Sequence, residues 1–260
     1  MKPLSTDELK ALIASRTFWY HQLELAPGIV TPGMNNCAST LKLLTLPDNM
    51  HGMRVLDIGA AEGFFTYECE RRGAAEIIAV DYSTPEHTGF TLISELLESR
   101  AQHRLDTIYN LRPEVYGQFD VVLFLGILYH LPDPTLALHI VRRLCKPGAL
   151  MFLESHVIDD LLMTSEGQPI NFSSEVKAQL NKIPLMQYYS EDILNRGDAT
   201  NFWGPNMTAL RQMLLDAEFK VTSETKNPVM GHRGIFNCQA TEKASSRKHL
   251  IDQAYGKLLR

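Results

Sequence analysis

The stretch RVLDIGAAEGFFTYECERRGAAEIIAVD, residues 54–81, ends one apolar run on Asp57 and the next on Asp81, 24 positions later; Gly59 and Gly63 bracket the turn between them. A strand that runs into a glycine turn sets backbone N–H donors beside a polar ligand, and an acid ending the next strand can accept from ribose hydroxyls. The close glycine pair of a dinucleotide fingerprint is missing, because the turn reads Gly59-Ala60-Ala61-Glu62-Gly63. Carboxylates at Asp57 and Glu62 would repel a pyrophosphate, whereas a sulfonium and an ammonium suit an acidic rim. The signs favour S-adenosylmethionine over NAD.

Attack on a sulfonium methyl is an in-line substitution, so the protein must chiefly orient an acceptor opposite the leaving thioether. An acceptor hydroxyl or protonated amine must also lose a proton. His130 follows the apolar run FDVVLFLGIL and is the leading candidate base, with His21 second; Tyr129 orients cofactor or acceptor. Glu154 and His156 stand two apart and share a face if their strand persists through both. Trp19, Tyr20 and His21 on one side, and Tyr188, Tyr189, Phe202 and Trp203 on the other, offer apolar contact to a planar acceptor. Arg233 needs an acidic or strongly polar partner if it is buried. Asp159 and Asp160 are adjacent in a turn, and no metal site is assigned.

These residues must be held by strands and helices in alternation. From Met53 the apolar runs RVLDIG, EIIAVD, RLDTIY, FDVVLFLGIL and ALMFLES are separated by helical segments at Phe64 to Arg72, about Glu86 to Ser99 and about Thr135 to Leu144. That alternation predicts a doubly wound, mostly parallel α/β sheet with helices on both faces. A helix capped by Asn206, followed by FKVTSET and RGIFNCQA as strands, completes it. Residues 1–50 read as an N-terminal cap, opened by a helix with Ser5 and Glu8 at capping-box spacing. Residues 51–240 form the main domain, interrupted at 157–204 by an insertion over the strand ends, and 241–260 form a tail read as a solvated helix.

A formal charge of -5 over 260 residues leaves no broad basic field for nucleic acid. No apolar run approaches the roughly 20 residues of a membrane span. The four cysteines lack C-x-x-C spacing, which argues against zinc and disulfides. A cytoplasmic location follows as the expectation.

On DIGAAEG, the distant Asp81 and the alternating layout, the chain resembles the class I S-adenosylmethionine-dependent methyltransferases, strongly over residues 51–158. The resemblance implies a seven-stranded sheet of that type. It implies that Gly59, with Ala60 and Gly63, surrounds the methionine part of the cofactor, that Asp81 binds ribose beside Tyr82, and that Ile108, Tyr109, Asn110 and Leu125 flank the adenosine. Asn110 stands where the family often has an aspartate. GILYH, LESHVID, NFWGPNMTALRQMLLDAEF and WYHQLELAPGIVTPG resemble the branch containing the tRNA wobble-uridine carboxymethyltransferase and its small-molecule methyltransferase relatives. In that tRNA enzyme a tyrosine and a distant arginine face a carboxylated cofactor, roles that would fall on Tyr129 and Arg233. The expectation is a methyltransferase for a small-molecule oxygen or nitrogen acceptor in secondary metabolism, with Trp19, His156, Trp203 and Arg233 as acceptor contacts. A tRNA carboxymethyltransferase-like enzyme and a noncatalytic cofactor-binding regulator are the alternatives, so tRNA stays open as a partner; oligomeric state is not legible.

Overall fold

The computed structural model describes residues 4–190, 199–242, 245–256 and 258–259, so the 191–198 part of the expected insertion lies outside the described residues. Strands β1 (Arg54–Ile58), β2 (Glu76–Asp81), β3 (Gln102–Leu105), β4 (Phe119–Leu125), β5 (Cys145–His156), β6 (Phe219–Lys226) and β7 (Arg233–Ala240) form one sheet. Their order is β6-β7-β5-β4-β1-β2-β3, with β7 antiparallel to both neighbours and the other pairings parallel. The order reverses direction at β1, and the crevice outside the carboxyl end of that strand is where an open α/β sheet takes its ligand.

The central strands are apolar on both faces because both faces are covered. Val55, Leu56, Val121, Val122, Leu123 and Phe124 are fully buried. On one side lie α1 (Thr6–Ala14), α2 (Phe64–Arg71) and α3 (Phe90–Leu96) with their associated loops; α4 (Pro134–Leu144) and α6 (Met207–Asp216) contribute to the largest core cluster. The expected caps are present: Ser5 and Glu8 form a reciprocal capping box, and the Asn206 side chain accepts from the Ala209 amide. Among the described residues no helix is long and apolar enough to cross a membrane.

Three expectations change in detail. The helix expected over Glu86 to Ser99 is two helices, Pro85–Thr88 and α3, broken where Gly89 turns left-handed at φ 90°. Any side chain at Gly89 would also crowd the Arg16 guanidinium, which donates to the carbonyls of Glu86 and His87. The third strand stops at Leu105, and Ile108–Asn110 form a 3-10 turn instead of extending it. The tail helix Lys248–Tyr255 is anchored: Tyr255 packs on the main core and its hydroxyl meets that of Thr135 at 3.1 Å. Within 157–204 the described residues form a short hairpin (Leu162–Met163 with Pro169–Ile170), helix α5 (Ser174–Leu180) and a pair of strands, Met186–Tyr188 with Trp203–Pro205.

Candidate active site

The cofactor end is built on the loop from β1 to α2. Gly59 is left-handed at φ 76°, and a Cβ there would overlap the Ile127 side chain, so glycine is required twice over. The amides of Gly59 and Ala60 both donate to Val80 O, at 2.7 and 3.2 Å. They tie the loop to β2, and Ala60, 2% exposed, packs into the core; this corrects the expectation that these amides face a ligand. Ala61, also left-handed at φ 48°, donates its amide to Asp81 Oδ2 at 3.0 Å, while Ser83 N–H reaches Asp81 Oδ1 at 2.9 Å. Each carboxylate oxygen still has a lone pair for a ribose hydroxyl. Tyr82, 77% exposed, stands beside it as an open flank. Gly63 caps α2 at φ 93°.

The acidic rim needs correction. Asp57 is 3% exposed, accepts from Thr66 Oγ1 at 2.6 Å, and is pushed up to about 6 by burial. Glu62 is 1% exposed and accepts the amides of Tyr20 at 2.5 Å and His21 at 3.2 Å. Neither forms a rim. The second carboxylate at the strand ends is Asp106, whose amide donates to Asp81 O at 3.0 Å. Sequence reasoning missed it because RLDTIY was taken as strand throughout, which hid the turn that follows Leu105. Asp106 accepts from Tyr116 Oη at 2.6 Å, Thr107 N at 2.8 Å and Asn110 Nδ2 at 2.9 Å; burial opposes its charge, but these bonds hold its carboxyl below the usual range. The amide of Asn110 is thus engaged by Asp106. Ile108 is buried, and the Tyr109 hydroxyl exchanges hydrogen bonds with the Asp133 backbone at 2.9 and 3.1 Å. Leu125 ends β4, beside Gly126, whose amide donates to Glu154 O.

The acceptor end lies over β4, β5 and β7. A 3-10 turn, Leu128–His130, presents Tyr129, and the Arg233 guanidinium carbon sits 4.8 Å from its ring centroid. Arg233 Nε is 3.4 Å from Glu154 Oε1, across the β5–β7 pairing. Burial works against the Arg233 charge, but Glu154, Tyr129 and Tyr20 together offset it, and its pKa is raised. Its Nη1 is buried and makes no hydrogen bond among the described residues. The Tyr20 phenol belongs to the same cluster: burial raises its pKa, and Arg233 and Glu154 both act on it. Burial likewise raises Tyr129.

The histidines divide by what holds them. Strand β5 does persist through Glu154 and His156, but His156 Nε2 meets the Tyr189 hydroxyl at 2.8 Å, and burial pushes the ring down to about 3. His21 is 5% exposed, lies 3.2 Å from Glu62 through Nδ1, and is pushed down to about 4 by burial. It belongs to the join between the N-terminal segment and the glycine loop. His130 is half-buried, its Nδ1 held by Thr200 Oγ1 at 2.9 Å and Thr200 O at 3.2 Å. Trp19, 3% exposed, donates its indole N–H to Ile13 O and packs in the core under α1, a correction to its expected place against an acceptor. Trp203 donates to Pro132 O at 3.2 Å and stacks edge-on with Tyr188, so it can present only part of its ring. Among the described residues no three His, Cys, Asp or Glu side chains converge as for a metal ion.

The site fits S-adenosylmethionine: two carboxylates at adjacent strand ends for hydroxyl and amine donors, a glycine loop above the switch in strand order, and a separate polar cluster beside it for an acceptor. A family model for the methyltransferase domain matches residues 34–224. The chain is 33% identical over 108 residues, 41% of its own length and 44% of the other, to a ubiquinone biosynthesis O-methyltransferase of Xanthomonas oryzae pv. oryzae. It is 30% identical over 111 residues, 43% of its own length and 39% of the other, to a tRNA U34 carboxymethyltransferase of Campylobacter hominis. It therefore spans less than half the length of these curated relatives. In fold it matches the N-terminal domain of EvdMO1 with SAH bound, at a TM-score of 0.61 and 18% identity over 92% of this chain and 98% of that one. A domain match across most of the chain, the strand order and the carboxylate-edged crevice agree, and the chain belongs to the methyltransferase domain family.

Proposed function

We propose that the protein methylates an oxygen or nitrogen of a small-molecule acceptor, in secondary metabolism. The observation that carries this reading is the enclosure of the acceptor end. Tyr129, Glu154, His156 and Tyr189 are each below 8% exposed, with Tyr189 bonded to His156, Phe202 to the Tyr129 backbone and Tyr20 close to Glu154 and Arg233. A net charge of -5 supplies no basic field toward a polynucleotide. In this reading residues 1–50 are a cap, 51–240 the catalytic domain with its insertion at 157–204, and 241–260 a tail.

The cofactor supplies an electrophilic methyl on a sulfonium. Asp81 would accept from the ribose hydroxyls, with Tyr82 and Ile108 beside the adenosine, and Asp106 would accept from the adenine amine. Tyr129 and Arg233 orient the acceptor. Where the acceptor must lose a proton, His130 takes it, with Thr200 fixing the ring much as a third group orients a catalytic base. His21 and His156 are weak bases in their buried settings and serve packing. Asp57 acts through Thr66.

A second reading has its own observation. Arg233 is half-buried, stacked on Tyr129, and keeps one buried guanidinium nitrogen unpaired among the described residues. A carboxylate on the donor would meet that nitrogen, as in a carboxymethyltransferase. Incubation with S-adenosylmethionine, or its carboxylated analogue, and a panel of phenols, amines, carboxylic acids and tRNA separates the two by product mass. A methyl gain on a small molecule supports the first reading. A carboxymethyl gain on tRNA replaces it.

A further inference from the structure

The glycine loop does two jobs at once. Ala61 N–H holds Asp81, and the next residue, Glu62, turns the opposite way and places its carboxylate, 1% exposed, under the N-terminal segment. One oxygen accepts from Tyr20 N–H at 2.5 Å; the other accepts from His21 N–H at 3.2 Å. Two backbone donors on one buried carboxylate make a directional joint, since charge-assisted bonds are roughly twice as strong as neutral ones.

The segment on the far side of that joint is stiff. Thr31 Oγ1 accepts from Leu23 N–H at 2.8 Å and donates to His21 O at 2.6 Å. Gln22 N–H reaches Asn35 O, Asn35 N–H reaches Tyr20 O, and a Cβ on Gly33 would overlap the His21 backbone. The hairpin Glu24–Ala26 with Ile29–Val30 therefore moves with residues 20–22 as one body. That body carries the Tyr20 phenol into the field of Arg233 and Glu154.

We propose that Glu62 is a positioning residue: its carboxylate couples the loop that holds the donor to the hairpin that carries Tyr20 over the acceptor end. The proposal rests on the methyltransferase reading. Ordering of the loop by donor is passed through Glu62 to Tyr20, so the acceptor wall is set only when the donor is in place. Glu62→Gln preserves side-chain volume but turns an –NH2 toward one of the two backbone donors, so one bond is lost.

Hydrogen exchange with and without S-adenosylhomocysteine, alongside calorimetry of its binding, tests this. In the native protein the Tyr20 and His21 amides gain tenfold or more in protection when S-adenosylhomocysteine binds. In Glu62→Gln that gain falls below about threefold, while the Leu23 and Thr31 amides inside the hairpin stay as protected as before. Equal gains in the native protein and Glu62→Gln overturn the coupling, as does absence of any gain in the native protein when calorimetry shows binding. If Glu62→Gln does not fold, Glu62→Asp, one methylene short of the amides, takes its place with the same two criteria. Failure of S-adenosylhomocysteine to bind the native protein sinks the methyltransferase reading itself, a result calorimetry tells apart from failure of the coupling.

Discussion

The two ends of the crevice are built in different ways. The cofactor end comes from short, consecutive pieces: β1, its glycine loop, β2 and the residues just past β3, tied mostly by backbone amides to one another and to Asp81. The acceptor end is assembled from segments far apart in sequence. Arg233 pairs with Glu154, Tyr189 with His156, and Thr200 with His130, while Glu62 joins Tyr20 to the glycine loop. A site made of local backbone geometry holds one ligand shape; a site made of long-range side-chain pairs can be rebuilt pair by pair for a new acceptor. Changes at the acceptor end should accordingly alter local stability and acceptor use with little effect on donor affinity, and changes at Asp81 the reverse.

The sharpest way to break this comparison is Arg233→Met. It strands Glu154, 7% exposed, without its cationic partner. Loss of one member of a buried pair costs about 3–5 kcal/mol, read as a fall in denaturation midpoint. The double variant Arg233→Met/Glu154→Gln should regain most of that loss, because the stranded charge is gone. In both, affinity for S-adenosylhomocysteine by calorimetry should stay within about threefold of native if the ends are separable. Asp81→Ala comes next and acts at the other end. Loss of its bonds to the ribose, about 1.5–3 kcal/mol for a charged hydrogen bond, should weaken donor affinity on the order of a hundredfold. A change in acceptor KM at saturating donor would contradict the division.

The same division explains what could be read from the sequence. The seven strands, the glycine turn and Asp81 were legible because each is written in a continuous run whose periodicity or terminal residue carries the signal. RGIFNCQA matches the last strand at both ends. The misplaced element was the third strand: QHRL has a weak apolar pattern, and the apolar residues of TIYNL drew the strand two positions late, which hid Asp106. At the acceptor end the right residue types were picked out, but not their partners. Nothing in WYHQ says that Trp19 faces the core while Tyr20 faces Arg233, or that Glu62 receives two amides from 41 and 42 residues upstream. Pairings at such separations follow from tertiary packing, and periodicity carries no record of them.

Acid titration separates the buried Asp57 carboxyl from the buried imidazoles by sign. At the cofactor end, Asp57 is raised by burial from 3.8 to about 6, so the folded state holds its proton between those values while the unfolded chain releases it; that contribution to stability falls as pH rises. His156 at the acceptor side and His21 at the join to the glycine loop are lowered by burial from 6.5 to about 3 and about 4, so stability is present above 6.5 and lost as pH falls. Between about pH 4 and 6, unfolding takes up two protons on the histidines and releases one from Asp57. For these three groups the net is one proton, or about 1.4 kcal/mol of stability lost per pH unit on acidification. Asp57→Asn should steepen that slope to about 2.7, and His156→Gln should flatten it. His103 and His139, also lowered by burial, add to the slope, and Glu62, Glu154 and Asp159, raised by burial, subtract from it, in all three proteins alike and without changing the order of the variants. Denaturant titrations at several pH values measure all three proteins, and an Asp57→Asn slope shallower than native would reverse the assignment.

Tyr189→Phe makes the smallest change. It removes only the hydroxyl 2.8 Å from His156 Nε2 and leaves the ring, 3% exposed, in place. Burial keeps His156 neutral, and its Nε2 then lacks a donor; one lost neutral hydrogen bond costs about 1 kcal/mol. Because Tyr189 N–H holds Phe202 O, and Phe202 N–H holds Tyr129 O, the chain of contacts runs on to the acceptor wall through backbone that the substitution does not touch. Acceptor KM should therefore rise only a few-fold, with donor affinity unchanged. Donor affinity that falls together with acceptor KM would mean that the chain around Tyr189 reaches the cofactor loop by a route other than the Glu62 joint, and that the two ends cannot be rebuilt separately.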